Sequence, residues 1–279
     1  MQVQPRSRFS KAILLTLLAV FSHISFLQAQ HIDTLYQFSW GRDAALLGFG
    51  LGTNATSYFL QQGLDPLTAE QINMLDPNEV SSFDRDALDN YDATAHTVSN
   101  VFLYSSLAMP GLLLLDQGCR KDAPKIGLLL AESIAVTNGI TGMTKRLVKR
   151  NRPYMYNPDV PLSEKQTVNG RFSFFSGHAS FSATVSFFTA RVYCDYHPDS
   201  RYKPLVWGLA ATLPAATGYL RYKAGKHFIS DVATGYAVGA LVGYFVPTLH
   251  KVNPGRRKQL RLSSAMLDGS PVLVARLRL

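Results

Sequence analysis

"SFFSGHAS", residues 173–180, sets a Ser-Gly-His triplet just ahead of an apolar run. Ser176 is a residue type that caps helices, and the run behind it predicts a helix starting near Gly177. The free N–H groups and the positive dipole end of such a helix favour an anion. Gly177 lets the backbone come close to that anion. His178 stands in the first turn, where it supplies a proton or a nucleophile. By itself the triplet is equally a histidine satisfied at a helix start, so its meaning depends on what the rest of the chain brings to it.

Two more polar clusters stand at the ends of apolar segments. In "KRLVKRNRP", residues 145–153, Lys145 and Arg152 are two helical turns apart. That spacing predicts one shared helix face, ended by Pro153. Alone, the cluster is a basic patch flanking a membrane. In "RYKAGKHFISD", residues 221–231, Asp231 follows His227 by four. On a helix the two are neighbours, so Asp231 accepts a proton from one imidazole nitrogen and leaves the other lone pair aimed outward. Alone, this is a local His–Asp contact.

Apolar segments cover residues 45–60, 98–115, 124–143, 177–194, 204–220 and 228–249, and small residues are frequent in them. Tightly packed membrane helices have this composition. The predicted fold is all-α: a membrane-embedded bundle of about five to six apolar helices. A soluble helical bundle is the alternative. The glycine-rich segment 45–60 is expected to be peripheral or re-entrant. Glu132, inside an apolar segment, is expected to face the bundle interior and be hydrogen-bonded there. Alternating residues around Asp268-Gly269 predict a short C-terminal β-hairpin.

The first 29 residues have a basic start (Arg6, Arg8, Lys11), an apolar centre and a small residue at Ala29. That is the pattern of a secretory signal peptide, with an uncleaved anchor as the alternative. Residues 30–97 form an N-terminal region with an acidic loop, 98–250 the core, and 251–279 a basic tail. Of the 279 residues, 28 are Lys or Arg and 19 are Asp or Glu. The charge is uneven: residues 62–98 hold Asp65, Glu70, Asp76, Glu79, Asp84, Asp86, Asp89 and Asp92 against Arg85 alone. No recognition helix or zinc signature accompanies the basic excess, so nucleic acid is not the expected partner. Cys119 and Cys194 suggest neither a metal site nor a disulfide framework. The basic stretches 116–125 and 250–261 are expected to face the cytoplasm, with the loops after 124–143 and 204–220 on the other side. That orientation requires a removed leader and a segment 45–60 that does not cross; a crossing there inverts it.

Taken together, Lys145–x6–Arg152–Pro153, Ser176–Gly177–His178 and Arg221–x5–His227–x3–Asp231 resemble the type 2 phosphatidic acid phosphatase (PAP2) superfamily. Bacterial class A acid phosphatases and vanadium haloperoxidases share this motif order. The resemblance covers about residues 98–250. Two positions depart from the usual pattern: Phe175 stands where proline normally precedes Ser-Gly-His, and Leu220 where serine often precedes the arginine. The resemblance implies that His227 attacks phosphorus and forms a phosphohistidine, and that Asp231 holds its ring. It implies that His178 protonates the leaving oxygen and then activates water. Lys145, Arg152, Ser176, Gly177 and Arg221 would bind the phosphoryl oxygens, with no metal and no cofactor. Three cations and a helix N-terminus suit the charge that a phosphoryl transition state spreads over its equatorial oxygens. The expected activity is a phosphatase acting on a phosphorylated membrane lipid, in the inner membrane of a bacterial envelope with its site facing the periplasm. A soluble periplasmic acid phosphatase, a vanadate-dependent haloperoxidase and a non-catalytic membrane binding protein are the alternatives.

Overall fold

The computed structural model describes residues 35–252 and the backbone of two strands, Gln259–Leu267 and Ser270–Arg278. The leader expected over residues 1–29 lies outside the described residues. Six long helices carry the fold: α1 (Trp40–Gln62), α2 (Ala93–Leu112), α3 (Ala123–Val148), α4 (Gly177–Tyr196), α5 (Lys203–Lys223) and α6 (Ile229–His250). Their starts follow local chemistry. The Asp92 side chain accepts from the Ala95 N–H ahead of α2, and Ser176 accepts from the Ala179 N–H ahead of α4. Pro124 and Pro204 stand in the first turns of α3 and α5, where a missing N–H costs nothing.

Helix α4 is central and packs against α2, α3, α5 and α6, while α1 lies along α3. Of the two roles expected for residues 45–60, peripheral or re-entrant, the second is corrected: they belong to an unbroken helix of 23 residues, about 34 Å long at 1.5 Å per residue, lying along α3. Small residues open the room for it: a Cβ on Gly50 would fall 2.7 Å from the Ala135 carbonyl carbon, and one on Gly142 would fall 2.6 Å from Ser57 Oγ.

The same device joins the two most closely packed helices. On α6, Gly235, Gly239 and Gly243 recur every four residues and so share one face. Added Cβ atoms there would fall 2.5, 2.1 and 2.2 Å from the carbonyl oxygens of Ser176, Ser180 and Thr184 on α4. Backbone meets backbone, as in membrane bundles, where close approach replaces the hydrophobic drive. Buried hydroxyls along α4 return to their own helix: Thr184 Oγ1 donates to Ser180 O at 2.8 Å and Thr189 Oγ1 to Val185 O at 2.7 Å. Thr184 also meets Thr137 of α3 at 2.8 Å. No buried hydroxyl in these pairs needs water.

Three stretches, Ala93–Leu115, Ala123–Met155 and Ile229–His250, are long and apolar enough to cross a membrane. Large apolar side chains face outward from the helices, among them Val101, Leu107, Leu205, Leu209, Leu241, Phe245 and Leu249. An apolar exterior around helices that satisfy their own backbone groups is the arrangement a bilayer requires, and this is a membrane protein. The predicted hairpin forms as an antiparallel pair in register from Gln259↔Arg278 to Leu267↔Ser270.

The glycine seam yields a stability prediction. Gly239→Ala should destabilise the detergent-solubilised protein by about 1–3 kcal/mol through overpacking. Gly208→Ala, where an added Cβ meets nothing within 4 Å, should leave the melting temperature unchanged or slightly raised. Thermal unfolding of the two variants side by side is the check, and equal melting temperatures would remove the seam's special role.

Candidate active site

One end of the bundle collects the predicted site residues from four elements. Lys145 sits in the last turn of α3. That helix stops at Val148, and Lys149 caps it in the left-handed region at φ 51°. Arg152 therefore lies on extended backbone ahead of a short 3-10 turn, Pro153–Met155. The shared helix face expected for Lys145 and Arg152 is corrected: a turn, not a helix, presents the second cation. Arg221 comes from the last turn of α5. Ser176, Gly177 and His178 open α4, as the capping pattern predicts. Phe175 ahead of them is buried, and its peptide bond to Phe174 is cis.

His227 also departs from expectation. It precedes α6, whose N-cap is Phe228, so His227 and Asp231 are not neighbours on one helix. The Asp231 carboxylate instead works at the helix start. Its Oδ2 accepts from the Phe228 N–H at 2.9 Å and from Ser173 Oγ at 2.5 Å. His227 Nδ1 stands 3.7 Å from the same oxygen, an electrostatic contact longer than a hydrogen bond. The α4 and α6 ends are tied directly, since the Ser176 N–H donates to the Asp231 carbonyl at 3.0 Å.

The three predicted phosphate-binding cations have neutral partners. Lys145 Nζ donates to the carbonyls of Phe172 (2.7 Å) and Ser173 (3.4 Å). Arg152 Nη2 donates to Asn169 Oδ1 at 3.0 Å. Arg221 Nη1 donates to His96 Nδ1 at 2.7 Å and to Ser99 Oγ at 3.3 Å. Arg152 Nε, Arg221 Nε and His227 Nδ1 are buried with no hydrogen-bond partner. Buried donors on cations are costly to leave unmade, so this end of the bundle suits an anion. Gly177 leaves room beside Lys145: a Cβ there would come no closer than 3.7 Å to any neighbour, with Lys145 Cε at 3.9 Å. Burial, followed by the fields of Lys145, Arg152 and Arg221, holds the His227 pKa well below the ordinary histidine value. Its imidazole is thus neutral at pH 7, the form that can attack an electrophile. His178 lies in the fields of the same three cations.

Arg150, in the same basic run, has the opposite fate. It donates to Asp231 Oδ1 at 2.7 Å and to Asp84 Oδ2 at 2.8 Å, and it stacks over the Phe228 ring. Two carboxylates neutralise it, which leaves it a brace rather than an anion ligand. Asp84 brings the acidic segment onto the site: its Oδ1 also accepts from the Ser230 N–H at 3.0 Å, and Val80, Ala87 and Leu88 pack with Phe228. Gly225 is required here twice over, by its φ of +66° and by Asn90 O, which would stand 2.0 Å from a Cβ.

Sequence reasoning missed the contribution of α2. Asn100 Oδ1 accepts from His178 Nε2 at 2.8 Å, and His96 receives Arg221. The signal was present: His96 and Asn100 are four apart on the first two turns behind the Asp92 cap, and so share a face.

The PAP2 superfamily model matches residues 126–254. Over those residues the chain is similar to the PAP2 superfamily. A lipid A 4′-phosphatase of Porphyromonas gingivalis is 34% identical over 125 residues, 43% of this chain and 49% of that protein. The chain thus aligns with about half the length of that relative. Phosphatidylglycerophosphatase B of Bacillus subtilis is 28% identical over 146 residues, 51% of this chain and 67% of the relative. A crystal structure of a transmembrane PAP2-type phosphatidylglycerolphosphate phosphatase from Bacillus subtilis aligns with a TM-score of 0.44 at 19% identity, covering 74% of this chain and 94% of that one. Lys145, Arg152, Ser176, Gly177, His178, Arg221, His227 and Asp231 all fall inside the matched span.

The Asp84 brace gives a pH-dependent prediction. Burial alone would push its carboxyl up, but bonds from Arg150 and Ser230 outweigh burial and hold it below the ordinary range. Its stabilisation is complete above the unfolded value of about 3.9 and is lost as pH falls through the lower folded value. Asp84→Asn should therefore melt lower than wild type at pH 7, by roughly 3 °C or more. The gap should close as pH is taken below about 4. Melting curves of both proteins from pH 3 to 8 test this, and a gap that persists at low pH would assign the loss to packing.

Proposed function

We propose that this protein hydrolyses a phosphate monoester or pyrophosphate of a membrane lipid, without metal, through a phosphohistidine. The observation that carries the reading is the set of three cations, Arg152 and Arg221 buried and Lys145 half-buried, whose side-chain hydrogen bonds go only to neutral partners around two imidazoles. A phosphoryl group supplies the missing negative charge and can accept from Arg152 Nε and Arg221 Nε. His227 Nδ1 is nearest Asp231, so Nε2 attacks phosphorus as the bond to the leaving oxygen breaks. His178 keeps its Nε2–H on Asn100, so it acts as the acid only once the bound phosphoryl charge offsets burial and the cation fields that otherwise hold the ring neutral. The ring takes a second proton from solvent on Nδ1 and gives that one to the leaving oxygen. It then takes one from the water that cleaves the N–P bond, and inorganic phosphate departs.

The lipid character of the substrate rests on placement. The site sits at the ends of apolar helices, at headgroup depth, so the tails of an amphiphile stay in the bilayer. Both curated relatives are named as phosphatases of lipids, lipid A and phosphatidylglycerophosphate. The outward apolar side chains disfavour a soluble acid phosphatase. Orientation follows from loop charge: the basic loop 116–125 and the end of α6 lie away from the two histidines, so the site faces the non-cytoplasmic side. In a bacterial host that is the periplasmic face of the inner membrane. The unbroken α1 runs from the His250 end, at Asp43, to Arg146 near the site, at Gln61, so behind a removed leader it would instead put the site on the cytoplasmic side. A Ser81→Cys variant, exposed at the site end, distinguishes the two. Labelling by an impermeant thiol reagent in intact cells supports the outward site, and protection until lysis supports the inward one.

Phosphate release should be measured across lipid A, phosphatidate, phosphatidylglycerophosphate, a polyprenyl pyrophosphate and a soluble aryl phosphate. At least one lipid should exceed the aryl phosphate about tenfold or more in kcat/KM, since tail binding adds to transition-state binding. His227→Ala should lose about 10³-fold or more, with no acid-labile phosphoenzyme on rapid quench, and His178→Ala about 10²–10⁴-fold. A His227→Ala protein as active as wild type would falsify the assignment. Halide oxidation appearing only with added vanadate would favour the haloperoxidase reading.

A further inference from the structure

At the opposite end of the bundle three ionisable side chains from three helices meet: Asp43 in the first turn of α1, Glu132 in α3 and His250 at the end of α6. One ligand-type atom from each lies within 4.8 Å of the others. His250 Nε2 is 2.8 Å from Asp43 Oδ1 and 3.1 Å from Glu132 Oε2. Its Nδ1 is 2.7 Å from the Val246 carbonyl oxygen. A carbonyl only accepts, so Nδ1 carries the hydrogen, and whenever the ring is neutral its Nε2 lone pair faces the two carboxylates. That backbone bond is what orients histidine ligands in metal sites.

Glu132 supplies the second, independent observation. It is fully buried, and neither of its oxygens receives a hydrogen bond. The sequence expectation is thus half right: the side chain faces the interior but is not hydrogen-bonded there. A proton on Nε2 does not repair this, because a single N–H serves one acceptor and the nearer one is Asp43. A cation at the centre would serve all three groups at once. Ligand atoms about 2.0–2.2 Å from one ion stand roughly 2.8–3.5 Å apart, which both measured separations match. The Ser39 N–H donates to Asp43 Oδ2 at 2.8 Å and Arg42 Nε donates to Oδ1 at 3.1 Å, so the carboxylate is already oriented and an ion on Oδ1 would share that oxygen with the guanidinium. Asp43 and Arg42 keep 12% and 27% of their side chains exposed, which gives an ion a way in.

We propose that Asp43, Glu132 and His250 bind one divalent first-row transition ion that ties α1 to α3 and α6. Two carboxylates and one imidazole suit manganese, iron, cobalt or zinc better than a soft or an all-oxygen cation. The role is a cross-link rather than chemistry on phosphate: the stretch from Glu132 to Lys145 spans about 20 Å of helix. The proposal is independent of the phosphatase reading.

The test uses untagged full-length protein in detergent, stripped with a chelator and then exposed to Zn²⁺, Mn²⁺ or Co²⁺. Wild type should retain one equivalent of at least one ion after gel filtration and melt several degrees higher with it, as any ligand of the native state requires. Bound Co²⁺ should show visible bands of a nitrogen–oxygen site. Glu132→Gln should retain roughly a tenth of an equivalent or less while binding vanadate at the other end as wild type does. Should that variant not fold, His250→Gln and the wild-type cobalt spectrum carry the decision. Wild type without metal after exposure to all three ions would overturn the proposal, leaving an ion-pair network with a protonated Glu132. Equal retention by wild type and Glu132→Gln would overturn it as well, by showing adventitious binding.

Discussion

Everything at the phosphate end depends on how closely α6 approaches the start of α4. Ser176 is held from both sides by α6. Its N–H donates to the Asp231 carbonyl, and its own carbonyl occupies the space a Cβ on Gly235 would need. That contact fixes the cap of α4, hence the direction of its free N–H groups, against the loop that carries His227. A side chain of any size between the two backbones would separate the histidines. Small residues are the means by which two distant motifs share one volume.

Charge at this end is sorted by partner. Arg150 receives two carboxylates and becomes structural; Lys145, Arg152 and Arg221 receive carbonyls, an amide, a hydroxyl and an imidazole, and no carboxylate hydrogen-bonds to them. Burial first, and the unbalanced positive field after it, depress the basicity of His227, which makes it a neutral nucleophile. Binding an anion and activating the attacking group are therefore one electrostatic arrangement. The acidic segment takes part through Asp84, which holds Arg150 in its bracing position and anchors residues 80–88 over the loop before α6.

The far end obeys the same rule with the signs reversed. Asp43 and Glu132 bring two carboxylates to one imidazole, and Glu132 has no donor. One end of the bundle suits an anion and the other a cation, with the polar, close-packed α4 between them.

Much of this was legible in the chain. Periodic apolar runs located the helices, Ser176 marked the start of α4, and the motif order pointed to PAP2, because capping and hydrophobic burial act over a few residues. The unbroken α1 was not legible: its glycines and threonines look weak until they are set against Ala135, Gly139 and Gly142 of α3. Nor was the partition of one basic run into Lys145 and Arg152, which bond to neutral groups, and Arg150, which two carboxylates hold. The sequence by itself determined which residue types could bind and transfer a phosphoryl group. Only the tertiary structure decided which charges were cancelled, which helix supplied His96 and Asn100, and where Asp43, Glu132 and His250 met, because burial and pairing are set by neighbours far away along the chain.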